Sequence, residues 1–289
     1  MIPHESKFKL SHHPWSKWSN CSEDSQPLRY NANFMPTTPA RNGIELASLS
    51  DVGCQRENNE DRYSYWEPES NEQFDRKGRL IIVADGMGGY EGGQEASRIA
   101  VETIEEIYEK TPGGEPQALL ETGFRIAHER ILQYAHEHPE LQGMGTTATA
   151  MVLQARQLYF AHVGDSRLYL VRCDSIRRLT HDHSYVGRLV ENGLISSAEA
   201  EAHPQRHILT AALGAGSETS PEISPQPVSL QKDDVLVLCT DGLWGLVGEA
   251  EIQSAVRDNS PTEACRILVQ MAKTRGGPDN ITLQVVRVL

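Results

Sequence analysis

Two apolar runs in the sequence each end in an aspartate that is followed by a glycine. Residues 80–84 lead into Asp85, and residues 235–240 lead into Asp241. A short apolar run bounded by a turn signal is typical of a strand that is buried on both faces. Because the glycine lets neighbouring backbone approach closely, each strand would deliver its carboxylate to a crowded point. Two carboxylates held together need a counter-ion, and a divalent cation is the usual one. The two runs therefore predict a metal site.

A charged, turn-rich segment at residues 50–61 holds an arginine and, shortly after it, two adjacent acidic residues. Taken alone, Arg56, Glu60 and Asp61 indicate a solvated surface. Arg56 acquires a chemical role only if it shares a pocket with carboxylates, since a guanidinium can hold a phosphate through two parallel hydrogen bonds.

Two further carboxylates lie where secondary structure is predicted to change. Asp279 follows a predicted helix and precedes the last predicted strand. Asp165 lies in the turn G-D-S-R at residues 164–167, where glycine, aspartate and serine are common for turn geometry alone. Asp165 therefore has a chemical role only if the fold brings it to the other carboxylates.

The periodicity of apolar residues predicts the elements that must position these side chains. One-sided apolar patterns indicate amphipathic helices at residues 91–110 and 115–138. His128 in the second helix falls near the polar face and is expected to be solvated. Between residues 144 and 170 the period changes to that of three strands joined by short turns, which we interpret as an antiparallel meander. Residues 180–216 are a polar, partly helical insertion with four histidines, interpreted as a flap over the core.

The order of these elements favours an α+β fold, because strands do not alternate with helices and helix pairs are inserted between them. Two antiparallel sheets packed face to face, with helices outside, would accommodate all the elements as a four-layer α-β-β-α sandwich. No internal repeat or linker divides residues 42–289, which are predicted to be one domain. Residues 1–41 lack periodicity and are predicted to be a flexible extension. Trp15 and Trp18 leave open a docking segment for a partner.

The composition excludes some classes of binding partner and indicates a cellular compartment. A formal net charge of −13 over 289 residues argues against nucleic acid and against an anionic membrane as partners. Five scattered cysteines contain no C-x-x-C pair, and Cys239 within an apolar strand indicates a buried, reduced thiol. No apolar run is long enough to span a bilayer, and there is no signal-peptide core. We therefore expect a cytoplasmic protein, and a monomer.

Six motifs follow one another along residues 45–289: R-E-N-N-E-D, V-A-D-G-M-G-G, M-G-T-T-A, H-V-G-D-S-R, C-T-D-G-L and G-P-D-N-I-T. In this order they resemble the metal-dependent protein phosphatases of type 2C, and most closely the bacterial branch with its cyanobacterial members. Each motif is a weak signal alone, whereas six in sequence are a strong one. The resemblance implies a β-sandwich flanked by helices and the hydrolysis of phosphoserine and phosphothreonine in proteins.

The resemblance also implies two Mn²⁺ or Mg²⁺ ions at one edge of the sandwich, held by hard oxygen ligands of the kind that these ions prefer. The implied metal ligands are Glu60, Asp61, Asp85, the Gly86 carbonyl, Asp165, Asp241 and Asp279.

Each implied ligand has its own role under this resemblance. Asp85 would bridge both ions, and Asp241 with Asp279 would hold one of them. The Gly86 carbonyl, with Glu60 directly or through water, would hold the other ion. A hydroxide shared by the two ions would attack phosphorus in line, and the ions would neutralise the developing charge.

Three further roles complete the implied site. Asp61 would mostly orient metal-bound waters, and Asp165 would bind a third, weaker ion together with Asp241. Arg56 would bind the substrate phosphate.

The sequence departs from many members outside the bacterial branch at the position directly after the bridging Asp-Gly pair. Those members carry a histidine there, proposed as the acid that protonates the leaving group. This chain has Met87, which cannot donate a proton. The proton would then come from metal-bound water, from a flap residue such as His207, or from no specific group. We favour water, because the geometry of the flap cannot be read from the sequence.

Two non-enzymatic alternatives remain. A catalytically weak or dead relative could bind phosphoproteins or partners as a scaffold. A dead relative would be expected to have lost an acidic residue, and Asp85, Asp241 and Asp279 are all retained. A purely structural cation site is the second alternative. Arg56 argues against it, since a site that only holds cations has no use for a positively charged phosphate ligand.

Overall fold

The computed structural model describes residues 33–35, 39, 41–89, 91–216 and 219–289. Most of the predicted extension, including Trp15 and Trp18, lies outside the described residues. The strands, numbered in chain order, are β1 (Asn33–Met35), β2 (Ile44–Asp51), β3 (Arg62–Trp66), β4 (Arg79–Ala84), β5 (Gly86–Met87), β6 (Gly145–Thr146), β7 (Ala148–Gln154), β8 (Gln157–Val163), β9 (Arg167–Arg172), β10 (Ser175–Arg178), β11 (Glu222–Ile223), β12 (Val228–Ser229), β13 (Val235–Cys239) and β14 (Ile281–Val288). The α-helices are α1 (Asn71–Lys77), α2 (Gly92–Lys110), α3 (Pro116–Glu137), α4 (Tyr185–Glu191), α5 (Ser197–Glu201), α6 (Asp241–Trp244), α7 (Glu249–Asp258) and α8 (Pro261–Thr274).

Two antiparallel sheets form the centre of the fold. The first has the strand order β1-β2-β14-β13-β9-β10. The second has the order β11-β8-β7-β4-β3, with β12 also pairing with β8. A small ribbon of β5 and β6 lies apart from both sheets. The predicted α+β class is confirmed.

Three apolar clusters show how the layers pack. One cluster joins alternate residues of β4, β7 and β8 to α2 and α3. A second joins the outer face of the first sheet to α7 and α8. The third lies between the sheets and takes residues from β2, β4, β8, β13 and β14. The order of layers is therefore helix, sheet, sheet, helix, as predicted.

Strand β4 illustrates why the apolar run before Asp85 is continuous. Leu80 and Ile82 face the helices α2 and α3, whereas Ile81 and Val83 face the first sheet. All four side chains are at most 1% exposed. A strand covered on both faces has no polar positions to alternate with, so the predicted double burial is confirmed.

The predicted helices at residues 91–110 and 115–138 are confirmed as α2 and α3. The expectation that His128 is solvated is wrong. His128 on α3 is only 5% exposed, and its Nδ1 accepts a hydrogen bond from the Gly214 N–H at 3.1 Å. The ring thus binds backbone at the end of the predicted flap, a partner that helical periodicity cannot reveal.

The prediction of a three-stranded meander is wrong at its third strand. β7 and β8 form a hairpin, but β9 lies in the other sheet between β13 and β10. The chain crosses between the sheets at Gly164, whose φ is +108°; a Cβ there would lie 2.5 Å from Thr147 Cγ2. Glycine permits this close crossing. Asp165 therefore lies at a corner between the two sheets and not in a hairpin turn.

The described structure begins within the predicted extension. β1 pairs in antiparallel register with β2, with Phe34 opposite Leu49. The Arg41 guanidinium donates to the backbone oxygens of Pro68 and Glu69. Residues before the predicted boundary at position 42 thus contact the sandwich, while the division into an extension and a catalytic domain stays a prediction. Within the described ranges, no helix has the length and apolar character needed to cross a membrane.

Candidate metal and phosphate site

The two strands predicted to deliver carboxylates belong to different sheets. Asp85 directly follows β4 of the second sheet. Asp241 directly follows Thr240 and is the first residue of α6, after β13 of the first sheet. The two carboxyl groups lie close enough that the negative charge of Asp241 raises the pKa of Asp85. The two facing sheets therefore bring their aspartates to one point.

Five aspartates surround that point, and we call them the carboxylate cluster: Asp61, Asp85, Asp165, Asp241 and Asp279. Burial raises the pKa of the Asp85 carboxyl well above its ordinary value, and the negative charges of the other four raise it further. Like charges placed this close disfavour the ionised form unless a cation balances them. The cluster thus has the electrostatic character of a cation site.

Asp61 provides the test of whether these residues fit a metal ion. The residue is 3% exposed, and its Oδ2 accepts a hydrogen bond from Thr240 Oγ1 at 3.0 Å. Oδ1 is buried and has no hydrogen-bond partner among the described residues. Burial raises the pKa of Asp61 to about 7. A buried carboxylate oxygen without a donor is costly unless a cation or its water occupies that side. The oxygen donors of the cluster fit Mn²⁺ or Mg²⁺.

Glu60 and Gly86 lie together, as the predicted second ligand group requires. A Cβ on Gly86 would lie 2.6 Å from the Glu60 carbonyl oxygen, and one on Gly93 would lie 2.7 Å from Glu60 Oε2. The Glu60 N–H donates to Asn280 Oδ1 at 2.8 Å. Glycine is needed at both positions because the Glu60 segment packs against them. The predicted close approach of backbone beside Asp85 is confirmed.

Arg56 meets the condition under which it would have a chemical role. Its Nη2 lies 2.8 Å from Asp279 Oδ2, at the rim of the carboxylate cluster. The Arg56 side chain is 50% exposed and that of Asp279 is 34% exposed. The guanidinium is thus beside the carboxylates and open to a ligand from solvent.

Asp165 also meets its condition. The residue is 5% exposed at the corner between β8 and β9. Burial raises the pKa of its carboxyl, and the charges of Asp241 and Asp182 raise it further, while Arg167 opposes them. Asp165 and Asp241 therefore lie close enough to interact, as the predicted third metal position requires.

The flap contributes a histidine to the site. His207 Nδ1 lies 3.9 Å from Asp241 Oδ2. The Arg206 Nε–H donates to His207 Nε2 at 3.0 Å, so the neutral ring carries its proton on Nδ1, facing the carboxylates. Met87 lies half-buried in the small ribbon of β5 and β6. The leaving-group acid thus has a candidate in the flap, at a position that the sequence alone could not locate.

Three residues that orient the site were not predicted from the sequence. Thr240 holds Asp61, and the Thr147 hydroxyl accepts a hydrogen bond from the Asp85 N–H at 3.0 Å. Asn280 accepts from the Glu60 N–H and donates to the carbonyls of Val52 and Asn58 at 3.0 and 2.9 Å. All three stand inside the quoted motifs, beside or near the aspartates. Their place in those motifs was the available signal.

Comparison with known proteins identifies the class to which this fold and site belong. The family model described as Protein phosphatase 2C matches residues 55–274. The chain belongs to the protein phosphatase 2C family.

Relatives in this family cover most of the chain. The serine/threonine phosphatase stp of Listeria welshimeri is 36% identical over 242 residues, which are 82% of this chain and 93% of that protein. The serine/threonine protein phosphatase PstP of Mycobacterium tuberculosis is 34% identical over 246 residues, or 85% of this chain. The match spans 45% of the length of PstP.

A solved structure extends the similarity to the fold. The catalytic domain of the serine/threonine protein phosphatase PstP, in complex with two manganese ions, superposes with a TM-score of 0.73 at 32% identity. The superposition covers 86% of this chain and 99% of that one.

Proposed function

We propose that this chain is a metal-dependent phosphatase that removes phosphate from phosphoserine and phosphothreonine in proteins. The observation that carries the proposal is the carboxylate cluster, to which both sheets contribute, with the Arg56 guanidinium at its rim. Relatives named as serine/threonine phosphatases, and a structural neighbour that holds two manganese ions, support it.

The residues of the cluster divide the metal ligation between them. Asp85 would contact both ions, and Asp241 with Asp279 would hold one. The Gly86 carbonyl and Glu60, which lie beside the cluster, would hold the other. When bound, the ions supply Lewis-acid activation of water and neutralise charge on the phosphoryl group.

The remaining roles belong to side chains around the cluster. Asp165, together with Asp241, would hold a weaker third ion. Asp61 is oriented by Thr240, and its Oδ1, unpartnered among the described residues, would be available to the ions or their waters. Arg56 binds the substrate phosphate, because its exposed guanidinium can form two parallel hydrogen bonds to it.

The proposal favours an enzyme over a phosphoprotein-binding scaffold. A scaffold needs the phosphate-binding Arg56 but has no need of five aspartates around one point. All five aspartates are present, and Asp61 keeps a buried oxygen that has no donor among the described residues. That arrangement costs stability without a cation, and it serves chemistry that a scaffold does not perform.

The proposed setting is cytoplasmic signalling by a monomer that acts on phosphoproteins and not on nucleic acid or membranes. The net charge of −13 supports this choice of partners. Cys239 and Cys265 are buried free thiols, and burial raises the pKa of each to about 12. Such thiols are unreactive, which suits a reducing compartment.

The test uses the purified full chain with p-nitrophenyl phosphate and with a phosphothreonine peptide. Hydrolysis of both should require Mn²⁺ and should stop on addition of EDTA. Asp85→Asn should abolish turnover while circular dichroism shows an intact fold. Asp174→Asn is the matched control, because the Asp174 side chain is 91% exposed and pairs with Arg257 on the surface. Near-normal Mn²⁺-dependent turnover by Asp85→Asn would refute the assignment.

A further inference from the structure

Trp244 connects the two aspartates of the weaker metal position. Asp241 begins α6, and Trp244 ends the same single turn of helix. The Trp244 indole Nε1–H donates a hydrogen bond to the backbone oxygen of Asp165 at 2.9 Å. One helical turn therefore carries both the Asp241 carboxylate and the donor that holds the corner on which Asp165 lies.

Arg167 holds the Trp244 ring in place. The Arg167 Cζ lies 3.5 Å from the centroid of the Trp244 ring, in a cation–π contact. The same guanidinium donates to both carboxylate oxygens of Asp182, at 3.0 and 2.6 Å. The Arg167 and Asp182 side chains are only 11% and 12% exposed. Cation–π contacts and bidentate pairs are strongest when water is excluded, so this arrangement fixes the orientation of the ring.

The first residues of the flap are bound to the same corner. The His183 N–H donates to the Gly164 carbonyl at 2.7 Å, and the Gly164 N–H donates to His183 Nδ1 at 3.3 Å. His162 Nε2 contacts the carbonyls of Gly164 and His181 at 3.0 and 3.1 Å, while its Nδ1 lies 2.8 Å from Thr149 Oγ1. His162 Nε2 thus connects His181, at the start of the flap, to the corner at Gly164, while Nδ1 anchors the ring to β7.

We propose that Trp244 and Arg167 are positioning residues for the weaker metal site. Trp244 sets the distance between Asp165 and Asp241, and Arg167 fixes Trp244 while it connects the site to the flap through Asp182. The inference rests on the proposed function, since it presupposes that Asp165 and Asp241 bind an ion. It predicts that removing the indole N–H weakens the binding of the third ion and leaves unchanged the binding of the two ions assigned to Asp85.

Trp244→Phe tests this directly, because it keeps an aromatic ring for Arg167 and removes the indole N–H that donates to the Asp165 backbone oxygen. Isothermal titration of the metal-free full chain with Mn²⁺ should show unchanged tight binding. The weakest dissociation constant should rise roughly 10-fold, as is typical when a residue that orients a metal ligand is lost. The Mn²⁺ concentration needed for half-maximal turnover of a phosphothreonine peptide should rise by the same factor. Trp66→Phe is the matched control: Trp66 lies on β3 and packs edge-on against Tyr108.

Arg167→Lys is the second variant, because it keeps the charge but loses the planar stack and the bidentate pair. It should raise the same Mn²⁺ dissociation constant. If Trp244→Phe does not fold, Arg167→Lys provides the test of the inference. A lower melting temperature with an unchanged weakest dissociation constant would show a merely structural role and overturn the inference. Wild-type protein that binds no Mn²⁺ would overturn the proposed function itself, so the two failures are distinguishable.

Discussion

Arg56→Ala removes the guanidinium at the rim of the carboxylate cluster. Arg56 is half exposed and lies 2.8 Å from Asp279, so a phosphate can reach it from solvent without displacing buried groups. A contact made equally in the ground state and in the transition state affects KM and leaves kcat unchanged. We therefore expect Arg56→Ala to raise KM at constant kcat.

The size of the effect follows from the exposure of Arg56. A hydrogen bond to a charged group contributes about 1.5–3 kcal/mol. Solvent screening at a half-exposed side chain favours the lower end, about 1.5 kcal/mol. That free energy corresponds to a KM increase of roughly 10-fold. Arg56 also pairs with Asp279, so its loss removes a positive charge beside a proposed metal ligand. The Mn²⁺ requirement of Arg56→Ala should therefore not increase.

The assay is the initial rate of p-nitrophenyl phosphate hydrolysis at saturating Mn²⁺, with a separate Mn²⁺ titration. Arg56→Lys should be intermediate, because lysine keeps the charge and loses the bidentate geometry. Arg266→Ala is the control, since Arg266 on α8 is similarly exposed, at 54%, and faces Glu263. A KM for Arg56→Ala within twofold of wild type would show that Arg56 is a solvated surface residue and does not bind the substrate phosphate. A loss confined to kcat would refute the argument from ground-state binding.

Three other predictions concern the corner, the flap and the buried imidazole. Asp165→Ala should keep the two tighter metal ions and the fold but lose much phosphopeptide activity. A lowered melting temperature with full turnover per folded molecule would instead show a role in the corner geometry alone. His207→Ala should lower kcat on a phosphothreonine peptide more than on p-nitrophenyl phosphate, because an alkoxide leaving group needs a proton more than a phenolate does; equal losses on both substrates would contradict a proton donor. Burial lowers the pKa of His162 to about 3. The contribution of the neutral ring to the free energy of unfolding is therefore fully present above the ordinary pKa of 6.5, and it is lost as the pH falls toward 3. In urea unfolding of the metal-free protein, the contribution of His162 to the free energy of unfolding should decrease by about 2 kcal/mol between pH 7 and pH 5. His162→Gln should lack that decrease.

The local pattern of apolar residues was sufficient to predict those strands and helices whose surroundings are uniform along their length. β4 is covered by helices on one face and by a sheet on the other, so its apolar run is unbroken, and the run ends where Asp85 meets the site. The amphipathic α2 has one buried face along its whole length, so its period is visible. The order of six motifs further indicated the family, because the spacing of the aspartates along the chain is a property of the sequence itself.

The partners of individual groups were decided only in three dimensions. The turn at Gly164 has the composition of a hairpin, yet β9 pairs with β13 in the other sheet. A buried strand must satisfy its backbone hydrogen bonds, and the local turn composition does not reveal which sheet provides the partner. The solvated reading of His128 failed because a helix contacts whatever lies beside it, here the Gly214 backbone.

The site shows the same division between sequence and tertiary structure. The sequence determined which aspartates, glycines and arginine were available, because chemical type is local. It did not determine that Asp61 keeps an oxygen without a donor in the described part of the chain, or that Trp244 joins Asp165 to the helix of Asp241. Such contacts join residues far apart in the chain, and their distances depend on how the two sheets pack.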